Sequence, residues 1–124
     1  MVLDASALLA FLFQEEGSRA VAAALEGSCM SAVNLSEVLG IFARDGKDTH
    51  IVAGWLRQLP VEIVPFDREV AAGAAALRYQ TDRHGLSLGD RACLSLGLAR
   101  GLPVLTADKV WKTIGLPLDI RLIR

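Results

Sequence analysis

The segment from Gly85 to Asp108, GLSLGDRACLSLGLARGLPVLTAD, contains the pattern that indicates the class of fold. Ser87 to Arg100 is predicted to be a helix, and the apolar run Pro103-Val104-Leu105 is predicted to be a strand. A helix of this length followed at once by a strand is typical of a crossover connection in a parallel sheet rather than of a β-hairpin.

The same alternation of strands and helices extends over the rest of the chain. The predicted strands are residues 1–3, 28–31, 61–65, 103–105 and 120–123. The predicted helices are residues 6–14, 18–26, 35–42, 48–59, 67–83, 87–100 and 108–113. With right-handed crossovers, this order predicts an α/β protein in three layers, α/β/α, around a central, mainly parallel sheet of about five short strands.

Length and composition exclude several classes of protein. The 124 residues correspond to one domain, residues 1–124, without an internal repeat or linker. A hydrophobic content of 52% excludes a disordered chain, and no apolar run reaches the roughly 18 residues of a membrane span. The net charge of −1, from 13 basic and 14 acidic residues, argues against a strongly basic nucleic-acid clamp.

The cysteines and histidines do not form a zinc-site pattern. Cys29 and Cys93 are 64 residues apart without a CxxC motif, and His50 and His84 are isolated. A reduced pair of buried cysteines is typical of an intracellular protein, and no basic segment precedes the apolar residues 5–13 as it would in a signal peptide. We therefore expect the chain to be cytoplasmic.

Acidic residues follow the predicted strands at the edge of the sheet where ligands bind. In parallel α/β sheets, that edge is formed by the carboxyl ends of the strands. Four of the 14 acidic residues are expected there: Asp4, Glu37, Asp90 and Asp108. Asp90 is the most informative of them, because it projects from an apolar helical face where a purely capping acid would be less favourable.

Helix capping is the alternative explanation for all four acids. A cap stabilises a helix by about 1 kcal/mol and requires no chemistry. The candidate caps are Asp4, the pairs Asn34-x-x-Glu37 and Ser87-x-x-Asp90 as capping boxes, and Thr106 or Asp108.

If the four carboxylates converge, their mutual repulsion calls for a cation. Two unit charges 4 Å apart repel by about 4 kcal/mol at an effective dielectric constant of 20. A set of oxygen ligands without His or Cys suits a hard ion, Mg²⁺ or Mn²⁺. Such an ion, held by one or two carboxylates and by substrate phosphate, is typical of phosphodiester cleavage.

Four blocks of this sequence resemble PIN-domain ribonucleases, above all the VapC-type toxins of type II toxin–antitoxin systems. The blocks are VLDASAL at residues 2–8, NLSEV at 34–38, GLSLGDRAC at 85–93 and GLPVLTADKVW at 101–111. The last two blocks together are the most specific. The resemblance runs from residue 2 to the last predicted strand and so covers essentially the whole chain.

The resemblance implies a set of site residues. It implies a catalytic acidic cluster of Asp4, Glu37, Asp90 and Asp108, in which Asp4 and Asp90 match the principal metal ligands and Asp108 a second-site or water-mediated one. The residues that match positions orienting the carboxylates or contacting the scissile phosphate are Ser6, Asn34 and Thr106. Because none of the four acids departs from the family pattern, the resemblance implies an active nuclease.

The resemblance also implies an activity and partners. It implies a metal-dependent endoribonuclease toxin that hydrolyses RNA phosphodiester bonds with Mg²⁺ or Mn²⁺. The family's members cut structured RNA, often transfer RNA, and a cognate antitoxin inhibits them by inserting its C-terminal segment across the active site. The expected partners are therefore an RNA substrate and an antitoxin, in a homodimer or a toxin–antitoxin hetero-oligomer, and not a membrane.

Other features concern the surface of the molecule. The first helix has an apolar surplus, which indicates a protein-binding groove, a homodimer face or a central buried helix; its residues are Leu8, Leu9, Phe11, Leu12 and Phe13.

Arg91, Lys109 and Lys112 are candidate RNA contacts. Trp55 and Trp111 could stack on bases, but core or edge packing is the favoured interpretation. Without the four acids, 13 basic residues face 10 acidic ones, so the net charge hides an acidic pocket in a mildly basic surface.

Three alternative functions remain open at this point. A phosphomonoesterase of the haloacid dehalogenase type needs a second acid two residues after Asp4, where Ser6 stands. A phosphoacceptor receiver domain needs an aspartate directly after the third strand, and Asp67 is the nearest. A binding module would use the acids only as caps and the apolar helix to dock a partner.

Overall fold

Five parallel strands form the central sheet of the computed structural model, which describes residues 1–124. The strands are β1 (Val2–Leu3), β2 (Ser28–Ser31), β3 (Val61–Val64), β4 (Val104–Thr106) and β5 (Ile120–Leu122). Their order is β3-β2-β1-β4-β5, and every neighbouring pair is parallel. The predicted parallel sheet is therefore confirmed, with the two-residue strand β1 at its centre.

Seven α-helices connect these strands. They are α1 (Ala5–Leu12), α2 (Ser18–Ala24), α3 (Ala32–Arg44), α4 (Thr49–Leu56), α5 (Arg68–Ala76), α6 (Arg78–Thr81) and α7 (Leu88–Arg100). Two short 3₁₀ helices, Asp82–His84 and Lys109–Thr113, follow α6 and β4. None of these helices is long and apolar enough to cross a membrane.

Each face of the sheet has its own hydrophobic core, which confirms the three-layer α/β/α architecture. Neighbouring strand residues point to opposite faces, so Val2 packs in the core under α7, whereas Leu3 packs in the core under α1, α2 and α3. Val104 and Leu105 of β4 divide between the two cores in the same way. Both residues of β1 are fully buried, and the chain leaves the sheet after Leu3 at its carboxyl edge.

The predicted helix over residues 67–83 is wrong as a single element. The structure divides it into α5, α6 and a 3₁₀ turn. Thr81, which is fully buried, donates its hydroxyl hydrogen to the carbonyl oxygen of Leu77 at 2.9 Å. The N–H of Thr81 bonds to the same carbonyl at 3.1 Å, so Thr81 keeps the helical pattern of α6. The end of α5 lies at Leu77, whose N–H bonds to the carbonyl oxygen of Ala74, three residues earlier, at 3.2 Å. A bond over three residues tightens the last turn of a helix.

Several smaller expectations also need correction. The capping box expected for Asn34 and Glu37 does not form, because α3 begins at Ala32 and Ser31 caps it by accepting a hydrogen bond from Val33 N at 3.2 Å. The first helix ends at Leu12, and β4 extends to Thr106. Trp111 is in the core, as expected, whereas Trp55 is 63% exposed on α4.

Candidate active site

Asp4 lies at the carboxyl edge of the sheet, directly between β1 and α1, and is 5% exposed. Its carboxylate caps α1 by accepting a hydrogen bond from Ala7 N at 2.8 Å. It also accepts hydrogen bonds from the hydroxyls of Ser6, at 2.7 Å, and Thr106, at 2.6 Å. These three donors use three of the roughly four lone-pair positions of a carboxylate, so Asp4 can cap the helix and still bind a cation.

Ser6 and Thr106 are themselves held by backbone groups of the loop after β4. Ser6 Oγ accepts a hydrogen bond from Ala107 N at 2.9 Å, and Thr106 Oγ1 accepts one from Asp108 N at 3.0 Å. Each hydroxyl therefore has its hydrogen free to donate to Asp4. Such chains of hydrogen bonds polarise one another, and they join the loop after β4 to the carboxylate that follows β1.

Burial controls the proton affinity of Asp4. Loss of solvent raises its pKa to about 6, and the negative charge of Asp90 also raises it. The hydrogen bonds from Thr106, Ser6 and Ala7 N favour the ionised form and lower the pKa, but they do not offset the burial. No salt bridge of the chain includes Asp4, so its charge has no cation partner within the protein.

Glu37 reaches the same region from the second turn of α3. Its Oε1 accepts a hydrogen bond from Asn34 Nδ2 at 2.8 Å, and the same amide donates to the carbonyl oxygen of Gly89 at 3.0 Å. Asn34 is 1% exposed, and its two hydrogen bonds connect α3 with α7. Partial burial and the charge of Asp90 both raise the pKa of Glu37, while the hydrogen bond from Asn34 lowers it.

Asp90 is in the first turn of α7 and is half-buried. The capping box predicted with Ser87 forms: Asp90 Oδ2 accepts a hydrogen bond from Ser87 N at 2.9 Å, and Ser87 Oγ accepts one from Asp90 N at 3.2 Å. The box uses one carboxylate oxygen and fixes the rotamer. Oδ1 of Asp90 accepts no hydrogen bond within the chain. The capping box therefore orients the Asp90 side chain and leaves Oδ1 available as a ligand.

Asp108 differs from the other three acids. It follows β4 at the same edge, but it is exposed, and its Oδ1 caps the 3₁₀ turn by accepting a hydrogen bond from Val110 N at 3.0 Å. Its charge is not among the causes that shift the pKa of Asp4 or of Glu37. Asp90 thus lies within electrostatic reach of both Asp4 and Glu37, and these three acids form the acidic group of this edge, with Asp108 exposed at its rim.

The donor chemistry of the group fits a hard divalent cation. All its ligand atoms are carboxylate oxygens, without a His or an unburied Cys among them. No three Asp, Glu, His or Cys side chains are close enough to hold a metal ion together. A hard divalent cation can nevertheless be held by one or two protein carboxylates, with water and phosphate oxygens completing its shell.

The candidate RNA contacts are less uniform than the sequence indicated. Arg91 is half-buried, and its guanidinium donates a hydrogen bond to the carbonyl oxygen of Leu86 at 3.0 Å, which fixes the loop before α7. Lys109 and Lys112 are exposed on the 3₁₀ turn after Asp108 and form no salt bridge. They are the more accessible cations beside the acidic group.

Gly89 contacts the site although it is not among the predicted site residues. It is buried in the first turn of α7 and lies against the Glu37 carboxylate. A glycine inside a helix is about 1 kcal/mol less favourable than alanine. A glycine at an unfavourable helical position, directly before Asp90, is the feature of the sequence that could have indicated this contact.

Comparisons with known proteins agree with this architecture. The family model of the PIN domain matches residues 1–116. The chain is similar to the VapC ribonuclease Mb0640 of Mycobacterium bovis, with 37% identity over 116 residues, 85% of this chain and 87% of the relative. Ribonuclease VapC30 of Mycobacterium tuberculosis matches with the same identity and coverage.

Solved structures share the fold at lower sequence identity. A toxin–antitoxin complex from Klebsiella pneumoniae matches with a TM-score of 0.76 and 20% identity, covering 99% of this chain and 97% of that chain. DNA-bound VapBC from Salmonella typhimurium matches with a TM-score of 0.73 and 18% identity, covering 99% and 97%. These matches extend the likeness in fold over nearly the whole chain.

Proposed function

The chain belongs to the PIN-domain family, in the branch of the VapC ribonucleases, and from this we propose that it is an endoribonuclease toxin that hydrolyses RNA phosphodiester bonds. The proposal includes dependence on Mg²⁺ or Mn²⁺ and inhibition by a cognate antitoxin. The observation that carries it is the buried Asp4, which has no cation partner and lies within the electrostatic influence of Asp90 at the carboxyl edge of the sheet.

In this proposal, Asp4 and Asp90 would hold the ion. When bound, the ion would activate a water molecule for attack on phosphorus and stabilise the leaving oxygen. Ser6 and Thr106 hold the Asp4 carboxylate in one orientation and favour its ionised form. The oxygen of Asp90 that Ser87 does not engage remains available as a ligand.

Glu37 and Asp108 complete the proposed catalytic set. Asn34 engages Glu37 Oε1 and leaves Oε2 without a hydrogen-bond donor, so Oε2 can accept a proton from the attacking water. The raised pKa of Glu37 strengthens it as a base. Asp108 and the exposed Lys109 and Lys112 line the rim, where Asp108 would act through water and the lysines would contact phosphate.

The proposed protein partner is an antitoxin, because the relatives are VapC ribonucleases and the solved structures of the same fold include VapBC complexes. The surface of this chain offers apolar area for such a partner. A groove of about 370 Å³ lies between α1, α4 and β3 and is lined mainly by apolar side chains. Phe13, the residue directly after α1, is 47% exposed, so the apolar surplus predicted for the first helix is only partly buried.

Cleavage of a labelled structured RNA tests the enzymatic proposal. We expect cleavage with Mg²⁺ or Mn²⁺ and none in excess EDTA. Asp90→Asn should reduce cleavage more than about 100-fold, since even changes to residues that merely orient metal ligands cost about 10–100-fold. The asparagine keeps an oxygen that can accept the hydrogen bond from Ser87 N, so the fold should remain intact.

A matched control distinguishes the site from general charge effects. Asp45→Asn removes one negative charge from the exposed end of α3 and should cleave like the wild-type chain. Undiminished cleavage by Asp90→Asn, or by the wild-type chain in EDTA, would contradict the mechanism. RNA binding without cleavage in all metals would instead support a binding module.

A further inference from the structure

A glycine packs directly against the carboxylate of Glu37. Gly89 is the second residue of α7, is buried, and precedes Asp90. A Cβ atom added to it would lie 2.5 Å from Glu37 Cδ and 2.7 Å from Oε2, and would also collide with Oε1. Non-bonded heavy atoms of this kind normally stay about 3.5–4.0 Å apart. A side chain at position 89 and the observed carboxylate position are therefore mutually exclusive.

The same glycine also holds the residue that orients Glu37. Asn34 Nδ2 donates hydrogen bonds to Gly89 O at 3.0 Å and to Glu37 Oε1 at 2.8 Å. Both acceptors are oxygens, which fixes the orientation of the amide group. Gly89 thus supplies both the carbonyl that anchors Asn34 and the space in which the Glu37 carboxylate lies.

Backbone conformation does not explain the glycine. Six glycines of the chain have a positive φ, and Gly89 is not one of them. Its conformation is helical, and alanine is more favourable than glycine inside a helix. The space occupied by Glu37 is the feature of this position that requires the absence of a side chain.

We infer that Gly89 is a positioning residue of the proposed nuclease, which seats the Glu37 carboxylate beside Asp90. This inference rests on the proposed function, in which Glu37 acts on the attacking water. The side chain of Glu37 is flexible and its residue is solvent-accessible, so an alanine at position 89 displaces the carboxylate into solvent instead of disrupting α7. The fold survives, and the acid leaves the site.

Steady-state cleavage of RNA by four variants tests this role. Gly89→Ala should lower kcat by about as much as Glu37→Ala does, on the order of 10²-fold or more for loss of a general base, while KM stays within about threefold. The double variant should be no slower than Glu37→Ala alone, because the carboxylate is already absent. Gly40→Ala, in the same helix as Glu37 with nothing within 4 Å of its added Cβ, should retain wild-type kinetics.

A second measurement does not depend on activity. The side-chain amide of Asn34 gives a pair of signals in a ¹H–¹⁵N correlation spectrum, which its absence in Asn34→Asp identifies. Loss of the Glu37 acceptor in Glu37→Ala should shift this pair, and Gly89→Ala should shift it similarly. Gly40→Ala should leave it in place.

Several results would overturn the inference. They are a Gly89→Ala variant with wild-type kcat, losses that multiply in the double variant, and an Asn34 signal that Gly89→Ala does not move. If Gly89→Ala fails to fold, the double variant with Glu37→Ala must fold, because the colliding carboxylate is absent. Failure of both variants to fold also overturns the inference. A wild-type chain that cleaves no RNA would refute the proposed function, while the amide signal would still decide whether Gly89 seats Glu37.

Discussion

Asp4 makes the stability of the metal-free chain depend on pH. Its pKa is raised from 3.8 to about 6 by burial, so the folded state binds this proton more tightly than the unfolded state does. The stability that the protonated carboxyl contributes is fully present below pH 4 and is lost as the pH rises through 6. A shift of about 2 pKa units corresponds to roughly 3 kcal/mol.

Urea unfolding in EDTA between pH 4 and pH 7 measures this effect. The wild-type chain should lose about 2–2.5 kcal/mol more over this range than Asp4→Asn, which has no proton to exchange. Above pH 6, Asp4→Asn should equal or exceed the wild-type chain in stability. A loss near 1 kcal/mol at every pH, the magnitude of a lost helix cap, would show that Asp4 serves only as a cap.

The sequence predicted the position of each acid but not its surroundings. An acid directly after a predicted strand could be placed at the carboxyl edge from the pattern alone. The surroundings of Asp4 could not be predicted in this way, because one of its hydrogen bonds comes from Thr106, which is 102 positions away in the chain. For the same reason, nothing local distinguished the buried Asp4 from the exposed Asp108.

The elements were predictable where their ends carry local signals. Ser28–Ser31 is a strand as predicted, and the capping box of Ser87 and Asp90 begins α7 where expected. The break after α5 was missed because that helix ends at a bond over three residues, from Leu77 N to the carbonyl oxygen of Ala74. Periodicity reports which face of a helix is apolar, but it does not report where the backbone bonds change from four residues to three.

Close packing of α7 on the sheet depends on a second glycine. A Cβ atom at Gly97 would lie 2.6 Å from Val104 Cγ2 and 3.2 Å from Leu118 Cδ1. Overpacking a core costs about 1–3 kcal/mol, and the higher helix propensity of alanine returns at most about 1 kcal/mol. We expect Gly97→Ala to lower the free energy of unfolding by about 1 kcal/mol.

Chemical denaturation of paired variants checks this expectation. Gly40→Ala, in open space on α3, should instead gain up to about 1 kcal/mol from helix propensity. In a Val104→Ala background, Gly97→Ala should cost less than in the wild-type chain, because the colliding methyl group is gone. Equal effects of Gly97→Ala and Gly40→Ala would contradict close packing at this crossing.

At the scale of the whole molecule, the charge distribution limits how RNA can be bound. The chain has a net charge of −1, but outside the four acids 13 basic residues face 10 acidic ones. Arg91 donates a hydrogen bond to the carbonyl oxygen of Leu86, which leaves Lys109 and Lys112, exposed on the turn after Asp108, as the accessible candidates for phosphate contacts. Few phosphates can therefore be neutralised, and recognition must depend on shape and on contacts within the site.

The salt dependence of RNA affinity measures the number of neutralised phosphates. For single-stranded RNA, log K falls with log salt with a slope of about −0.7 per phosphate, so two or three contacts predict a slope of about −1.4 to −2. The Asp90→Asn chain, which we expect to bind RNA without cleaving it, is titrated by fluorescence anisotropy in about 50–300 mM KCl to measure this slope. Adding Lys109→Ala and Lys112→Ala should reduce the slope to between zero and about −0.7, because each lost lysine contact means one neutralised phosphate fewer. Lys47→Ala, beyond the end of α3, should leave it unchanged, and a slope steeper than about −4 would show a broad basic surface that this charge distribution does not contain.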